Sequence, residues 1–326
     1  MNKPKVSIIV PIYGVERYIE RCAVSLFEQT YSNIEYMFVN DATQDKSIEI
    51  LQNVIARYPT RQKNVQILTH QQNKGLSAAR NTGLDSCSGD FVWHVDSDDY
   101  IAIDAVKQLV ETIEQHNADI VIFDVNVVTV NRIYIERVGY ANKMDYIRRL
   151  LQHIEKCAHW NKFYNADFVR QTGIRSDERI RLAEDYAVTP RLVHQAKKIA
   201  VLHEPLYFYE TTNQASYVHN LTRASIESQY LADKILIEYF TSVPDADKYA
   251  DVVSALPQRS MVSLIKNADR SSWPDILDVY SSYLSQSASQ GMTLVNRTIF
   301  KLATGKHYHF LQGFLNFYHL VMRVRS

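Results

Sequence analysis

Apolar and polar positions along the first 130 residues fall into two alternating rhythms. Continuous β-branched and aliphatic runs at 6–12, 34–39, 65–69, 91–95 and 120–130 read as strands. Between them, apolar residues recur at three- and four-residue spacing over 16–29, 45–57, 76–86 and 102–116, the mark of amphipathic helices. Such alternation predicts an α/β fold, a mostly parallel sheet flanked by helices. Ligands of these sheets gather beyond the C-terminal ends of the strands. Pro11, Asp41, His70 and Asp96 all fall at or just past those ends, so one pocket is expected at that rim.

From Lys143 onward the pattern is mainly helical, apart from an extended stretch at 200–209 and loops around Ser176 and Asn213. Helical periodicity returns at 221–240 and 245–268, with Pro244 between. The change of pattern divides the chain into a region 1–215 and a helical region 216–326. Near the end, Gln312, Asn316, His319 and Arg323 recur at helical spacing among apolar residues, starting from Phe310. A helix with so wide an apolar face must bury it. Two outlets exist for 297–326: packing on the body or on a second copy, or lying on an anionic membrane with flanking Lys and Arg over the lipid.

Composition changes this picture little. Of 326 residues, 46% are apolar and 22% charged, with 9 glycines and 8 prolines, an ordinary globular balance. The 36 basic and 36 acidic residues cancel, but unevenly. No acidic residue follows Asp278, whereas five basic ones do, so the body is mildly acidic and the tail basic. Those basic residues sit among aliphatic and aromatic neighbours without a recognition motif, which argues against a nucleic-acid partner. Cys22, Cys87 and Cys157 are too far apart for a disulfide framework or a metal cluster and suit a reducing compartment. No signal peptide and no run of the ~18–20 apolar residues needed to span a bilayer is seen. A cytoplasmic protein is expected, with the inner membrane face as its alternative station.

Candidate chemistry centres on Asp96-Ser97-Asp98-Asp99, which follows the apolar run at 91–95. Carboxylates crowded at the end of a buried strand repel one another unless a cation or hydrogen-bond donors compensate them. Asp96 and Asp98, two apart, share one side of an extended chain. Oxygen ligands of this kind suit Mg²⁺ or Mn²⁺ with phosphate oxygens completing the shell. The competing reading is a helix start, with Asp98 or Asp99 capping a segment that begins near Ala102.

Six segments converge on one family. VSIIVPIYGVERYIERC, VNDATQDKS, NKGLSAARNTGL, DFVWHVDSDDYI, WNKFY and LAEDYAVTPRL stand in family order over residues 5–210. Together they resemble the family 2 glycosyltransferases, inverting GT-A-fold enzymes that use nucleotide-diphosphate sugars. The flavour is that of bacterial enzymes building capsular polysaccharide, exopolysaccharide or O-antigen.

The resemblance implies a UDP-sugar donor, a glycan or lipid-linked saccharide acceptor, and Mn²⁺ or Mg²⁺. Asp41 resembles the family's uracil-binding aspartate, with Pro11 and Tyr13 shaping the wall; turn formation and core packing are the plainer roles of Asp41 and Tyr13. Lys74 and Arg80 fall in the segment that lines the nucleotide site, where solvated surface charges are the plainer reading. Asp98 matches the metal ligand, Asp96 a ribose or metal contact, and Asp99 an assistant or a cap. Asp185 matches the base that deprotonates the acceptor, supported by Glu184. Trp160 is either an acceptor platform or a core tryptophan, and His219 lies near a variable late metal ligand. Ala42 stands where the family has Gly, and Glu210 where a basic residue is typical. A non-catalytic glycan-binding protein and a sugar nucleotidyltransferase are the rivals, though no Gly-rich N-terminal phosphate loop supports the latter.

Overall fold

The structure, a computed structural model, describes residues 3–213, 221–284 and 292–325. The chain forms two compact units, residues 1–216 and 217–326.

In the first unit, β1 (Val6–Ile12), β2 (Ile34–Asn40), β3 (Val65–Thr69) and β4 (Phe91–His94) lie in the order β3-β2-β1-β4, all parallel. Their connections are α1 (Ile19–Phe27), α2 (Ser47–Arg57), α3 (Pro59–Gln62) and α4 (Leu76–Ser86). Buried on both faces, β1 has no polar side but Ser7, which is why its sequence does not alternate. A Cβ on Gly83 of α4 would collide with the Ile9 side chain, so glycine lets this helix lie close on β1.

The sheet continues through β5 (Tyr100–Ile101), β6 (Ile120–Val128), β7 (Ile133–Glu136), β8 (Lys162–Asn165) and β9 (Ile199–Glu210), in the order β8-β6-β9-β5 with β7 beside β6. β8 runs antiparallel to β4 and β6, whereas β9 is parallel to β6. Helices α5 (Ala105–His116), α6 (Lys143–Leu151), α7 (Ala166–Thr172) and α8 (Glu184–Gln195) complete the unit. Trp93 sits edge-on to Phe123 and Phe163 where the parallel and antiparallel halves join, and its indole N–H donates to the Trp160 carbonyl at 2.8 Å.

Several expectations shift. The helix expected from Ala102 starts at Ala105, because Tyr100 and Ile101 pair with Phe208 and Tyr207. The strand expected to reach residue 130 ends at Val128 and turns back as β7, the turn closed by Thr129 N–H on the Arg132 carbonyl at 3.0 Å. WNKFY contains the short strand β8, too brief for a periodicity signal.

The second unit holds α9 (Arg223–Ser242), α10 (Ala250–Ser254), α11 (Leu256–Asn267), α12 (Trp273–Val279), α13 (Leu294–Thr304) and α14 (Tyr308–Arg325). The helix expected over 245–268 is broken, and α11 restarts with Pro257 in its first turn, where its missing N–H is harmless. Leu311 and Leu315 of α14 join the core with Trp273, Ile276 and Phe300, while Phe310, Phe317 and Leu320 stay exposed. The tail thus packs one side on its own unit. Among the described residues no helix is long and apolar enough to cross a membrane.

Candidate active site

Parallel pairing brings the C-terminal ends of β1 to β4 to one rim. Asp41 N–H extends the ladder to the Ile12 carbonyl at 3.0 Å, and Val95 N–H does so to Ile9 at 2.9 Å. The buried Asp41 carboxylate accepts from His70 Nδ1 at 2.7 Å and from the backbone N–H groups of Lys74 and Gly75 at 2.7 and 2.8 Å. These three donors fill three of its roughly four lone-pair sites. They fix the turn into α4, where Gly75 has φ +90°. His70, whose Nε2 meets Thr82 Oγ1 at 2.9 Å, carries no motif that singles it out beyond its place at a strand end. Tyr13 is 45% exposed just past β1, so it is not a core residue. Pro11 is buried inside β1 opposite Val39, and the Lys74 side chain is exposed. Ala42 has φ +56°, the left-handed strain expected where glycine is usual, worth about 1–2 kcal/mol.

Beyond β4 the acidic motif is built by hydrogen bonds to β9. Tyr207 OH accepts from Asp96 N–H at 3.0 Å and donates to Asp99 Oδ2 at 2.6 Å, while Glu210 N–H donates to Asp99 Oδ1 at 2.7 Å. Both oxygens of the buried Asp99 are therefore committed, and α5 has Asp104 at its N-cap position. This corrects the capping expectation: Asp99 ties the motif to the sheet. Asp98 accepts from Asn213 Nδ2 at 2.8 Å, and burial, reinforced by the charge of Asp96, pushes its carboxyl up to about 6. Asp96 is partly exposed and accepts from Arg80 Nη2 at 2.9 Å. Arg21, which no motif reasoning singled out, donates to the Asp98 carbonyl at 3.1 Å and to Glu210 at 3.0 Å, its guanidinium 4.3 Å from the Tyr100 ring centre. The Glu210 carboxylate is thereby satisfied by Arg21 and Thr212.

A divalent cation fits this donor set. The charge of Asp96 disfavours a second negative charge on the buried Asp98, a repulsion that a cation relieves. Among the described residues no three His, Cys, Asp or Glu side chains converge, so Asp96 and Asp98 would leave most of an octahedral shell to water and phosphate, as hard cations prefer. His219 lies outside the described residues.

The Glu184-Asp185 pair opens α8 after Ala183, itself at φ +69°. Glu184 is buried and takes Arg80 Nη1 as its partner. Arg80, 4% exposed, therefore spans the two acidic motifs instead of standing in solvent. Burial pushes the Glu184 carboxyl up to about 7 and Asp185 upward too, while the Arg80 charge pulls both back. Asp185 accepts from Tyr186 N–H at 2.7 Å and keeps a partly exposed face, although protein surrounds it closely. With Glu184 held by Arg80, Asp185 is the freer of the two to meet a hydroxyl.

Behind this pair lies Lys162, fully buried, whose ammonium donates to the carbonyls of Lys156 and Ala158 and to Asn161 Oδ1 at 3.1, 2.8 and 2.7 Å. Burial draws it down to about 8. It folds the 156–161 loop and adds positive charge near Asp185. Trp160 is 5% exposed, stacked on Tyr207 and Tyr209 with ring centres 4.9 and 5.1 Å away. That is the packed tryptophan of the two readings; no open face is left for a sugar. His94 and His159 lie behind Arg80 with ring centres 5.0 Å apart and planes tilted by 43°, and are held neutral, His94 drawn down to about 3 by burial and then by the Arg80 charge.

Residues 7–173, just over half of the chain, match the family model described as Glycosyl transferase family 2. Over 215 residues the chain is 35% identical to the uncharacterized glycosyltransferase EpsJ of Bacillus subtilis (strain 168), a match covering 63% of this chain and 61% of EpsJ. It thus spans less than two thirds of that relative. The crystal structure of Staphylococcus aureus TarS 1–349 in complex with UDP-GlcNAc aligns with a TM-score of 0.71 at 20% identity, covering 97% of this chain and 92% of that one. A mannosyltransferase from Pyrobaculum calidifontis, PcManGT, in complex with GDP-Man and Mn²⁺, aligns with a TM-score of 0.54 at 15% identity, covering 97% and 86%. At these identities the likeness is one of fold, and the fold is the GT-A-type α/β arrangement.

Proposed function

Because the chain belongs to glycosyl transferase family 2, we infer that it moves a sugar from a UDP-sugar to a glycan or lipid-linked acceptor in polysaccharide or lipopolysaccharide synthesis, with inversion. The observation that carries this reading is the bridge from Asp96 through Arg80 to Glu184, which joins a cation-ready acidic motif to a base-ready one. A binding protein has no need of two acidic clusters locked together around one buried arginine. The UDP-GlcNAc complex of TarS supports the choice of donor.

In the proposed reaction Asp185 takes the proton from an acceptor hydroxyl while that oxygen attacks the anomeric carbon from the face opposite the diphosphate. An α-linked donor then gives a β-linked product. Asp41, Pro11 and Tyr13 border the place of the base, and the exposed Lys74 stands at the turn into α4, where an anion would lie. Arg80 acts by holding Asp96 and Glu184 in register. Asp98 and Asp96 would hold Mn²⁺ or Mg²⁺, which when bound offsets the negative charge growing on the departing diphosphate. The work is placed in the cytoplasm, with the exposed Phe310, Phe317 and Leu320 of α14 resting on an anionic membrane surface.

Incubation with a panel of UDP-sugars, Mn²⁺ and a glycan acceptor tests this: UDP is released, and chelation of the metal stops it. Release of pyrophosphate instead would favour a nucleotidyltransferase, and no release with any donor would favour a glycan-binding protein.

A further inference from the structure

β7 (Ile133–Glu136) pairs with β6 along one edge, and its other edge has no strand beside it among the described residues. Its apolar side chains are not covered either: Ile133 is 55%, Tyr134 40% and Ile135 50% exposed. Native proteins blunt such an edge with charge, proline or a covering segment, because unpaired N–H and C=O groups invite another strand.

Which groups point outward follows from the hairpin register. Thr129 N–H bonds to the Arg132 carbonyl, so that pair is of the hydrogen-bonded kind. Hydrogen-bonded and non-hydrogen-bonded pairs alternate along an antiparallel ladder. Tyr134 and Glu136, opposite Val127 and Val125, thus turn their backbone groups to β6. Ile133 and Ile135 turn theirs to the free edge.

We propose that β7 pairs antiparallel with β7 of a second copy of this chain about a two-fold axis through Tyr134. In that register Ile133 lies opposite the partner's Ile135 as a hydrogen-bonded pair, and Ile135 opposite the partner's Ile133, so every outward N–H and C=O of the two isoleucines is met. The same register sets Arg132 against the partner's Glu136 and Glu136 against the partner's Arg132. One strand therefore carries apolar matching on one face and opposite charges on the other, both self-complementary. Glu136 already meets Lys156 through Oε2 at 2.9 Å, which leaves Oε1 for the second arginine. Arg132 lies 5.1 Å from the Tyr134 ring centre, already on the face it would share. A strand this short buries less than the ~1,000 Å² of a tight assembly, so the dimer is weak and concentration-dependent.

Sedimentation of the full chain over a concentration series tests this. The wild type passes from monomer to dimer with rising concentration; a chain that stays monomeric up to about 1 mM, the limit of millimolar affinity, overturns the proposal. Arg132→Glu and Glu136→Arg each place like charges opposite one another twice and weaken the dimer by about tenfold or more. An equimolar mixture of the two variants restores it, because one variant then brings acidic groups at both positions and the other basic groups at both. That recovery also shows both to be folded. A dimer indifferent to either change, or a mixture that stays monomeric, overturns the proposal as well.

Discussion

Arg80 donates to Asp96 at 2.9 Å with one nitrogen and to Glu184 with the other, although 88 residues separate the two carboxylates in the chain. Removing one partner of a buried charge network strands the others, at about 3–5 kcal/mol. Arg80→Met is therefore expected to lower the unfolding free energy by that order and to slow transfer by at least ~10²-fold. Arg80→Lys should restore stability only in part, since a point charge cannot bridge two carboxylates as a fork does. Denaturant melts and UDP-release rates measured on both variants check this; a lysine variant with full activity contradicts the bridging role.

A base must be ionised to act. Burial raises the Glu184-Asp185 pair, Glu184 to about 7. Asp185, the proposed base, is raised, and a raised carboxyl stays protonated to higher pH, so activity is lost as pH falls before the usual carboxylate range is reached. The expected profile of kcat/KM has its acidic limb above the ordinary carboxylate range of about 4. A rate that stays level down to pH 5 would contradict the assignment.

How much of this was legible beforehand depended on the kind of signal. The strands β1 to β4 and the motifs carrying Asp41, Asp98 and Asp185 could be read because apolar runs and acid spacing are local properties. The Asp99 contacts could not, because its partners Tyr207 and Glu210 lie more than a hundred residues away and a strand tyrosine looks like any other. Arg80 reads from sequence as a cation near the nucleotide, but its burial depends on α8 folding over it. Lys162 hid inside WNKFY for the same reason: a lysine reads as solvated until the loop whose carbonyls it gathers is in place.

In the second unit, Asp233 is buried and accepts from Ser260 Oγ at 2.7 Å and Tyr280 OH at 2.9 Å. Burial nevertheless lifts its carboxyl from the ordinary 3.8 to about 7. The folded form thus binds its proton more tightly than the unfolded one, and stability falls as pH rises from about 4 to about 7. Asp233→Asn removes this penalty, so its advantage over the wild type should grow across that range, up to roughly 4 kcal/mol at ~1.4 kcal/mol per pH unit. Thermal melts of both proteins at pH 5 and pH 8 test the sign. An equal difference at the two values would contradict it.

The exposed stripe of α14 can be separated from the buried one. Deleting the tail would remove Leu311 and Leu315 from the core, so surface changes are the cleaner probe. Phe310→Ser, Phe317→Ser and Leu320→Ser together are expected to leave the melting temperature within a few degrees, as surface changes do. They should also abolish pelleting with anionic liposomes. Unchanged pelleting would remove the membrane role.

The role of Asp185 is tested most directly by comparing Asp185→Asn with the wild type in two assays, steady-state transfer and equilibrium UDP binding. The expected outcome is transfer slowed by at least ~10²-fold with UDP affinity unchanged, since the substitution keeps size and removes only the proton acceptor. Transfer at a near-normal rate would show that another group deprotonates the acceptor, and the proposed chemistry would be wrong at its centre.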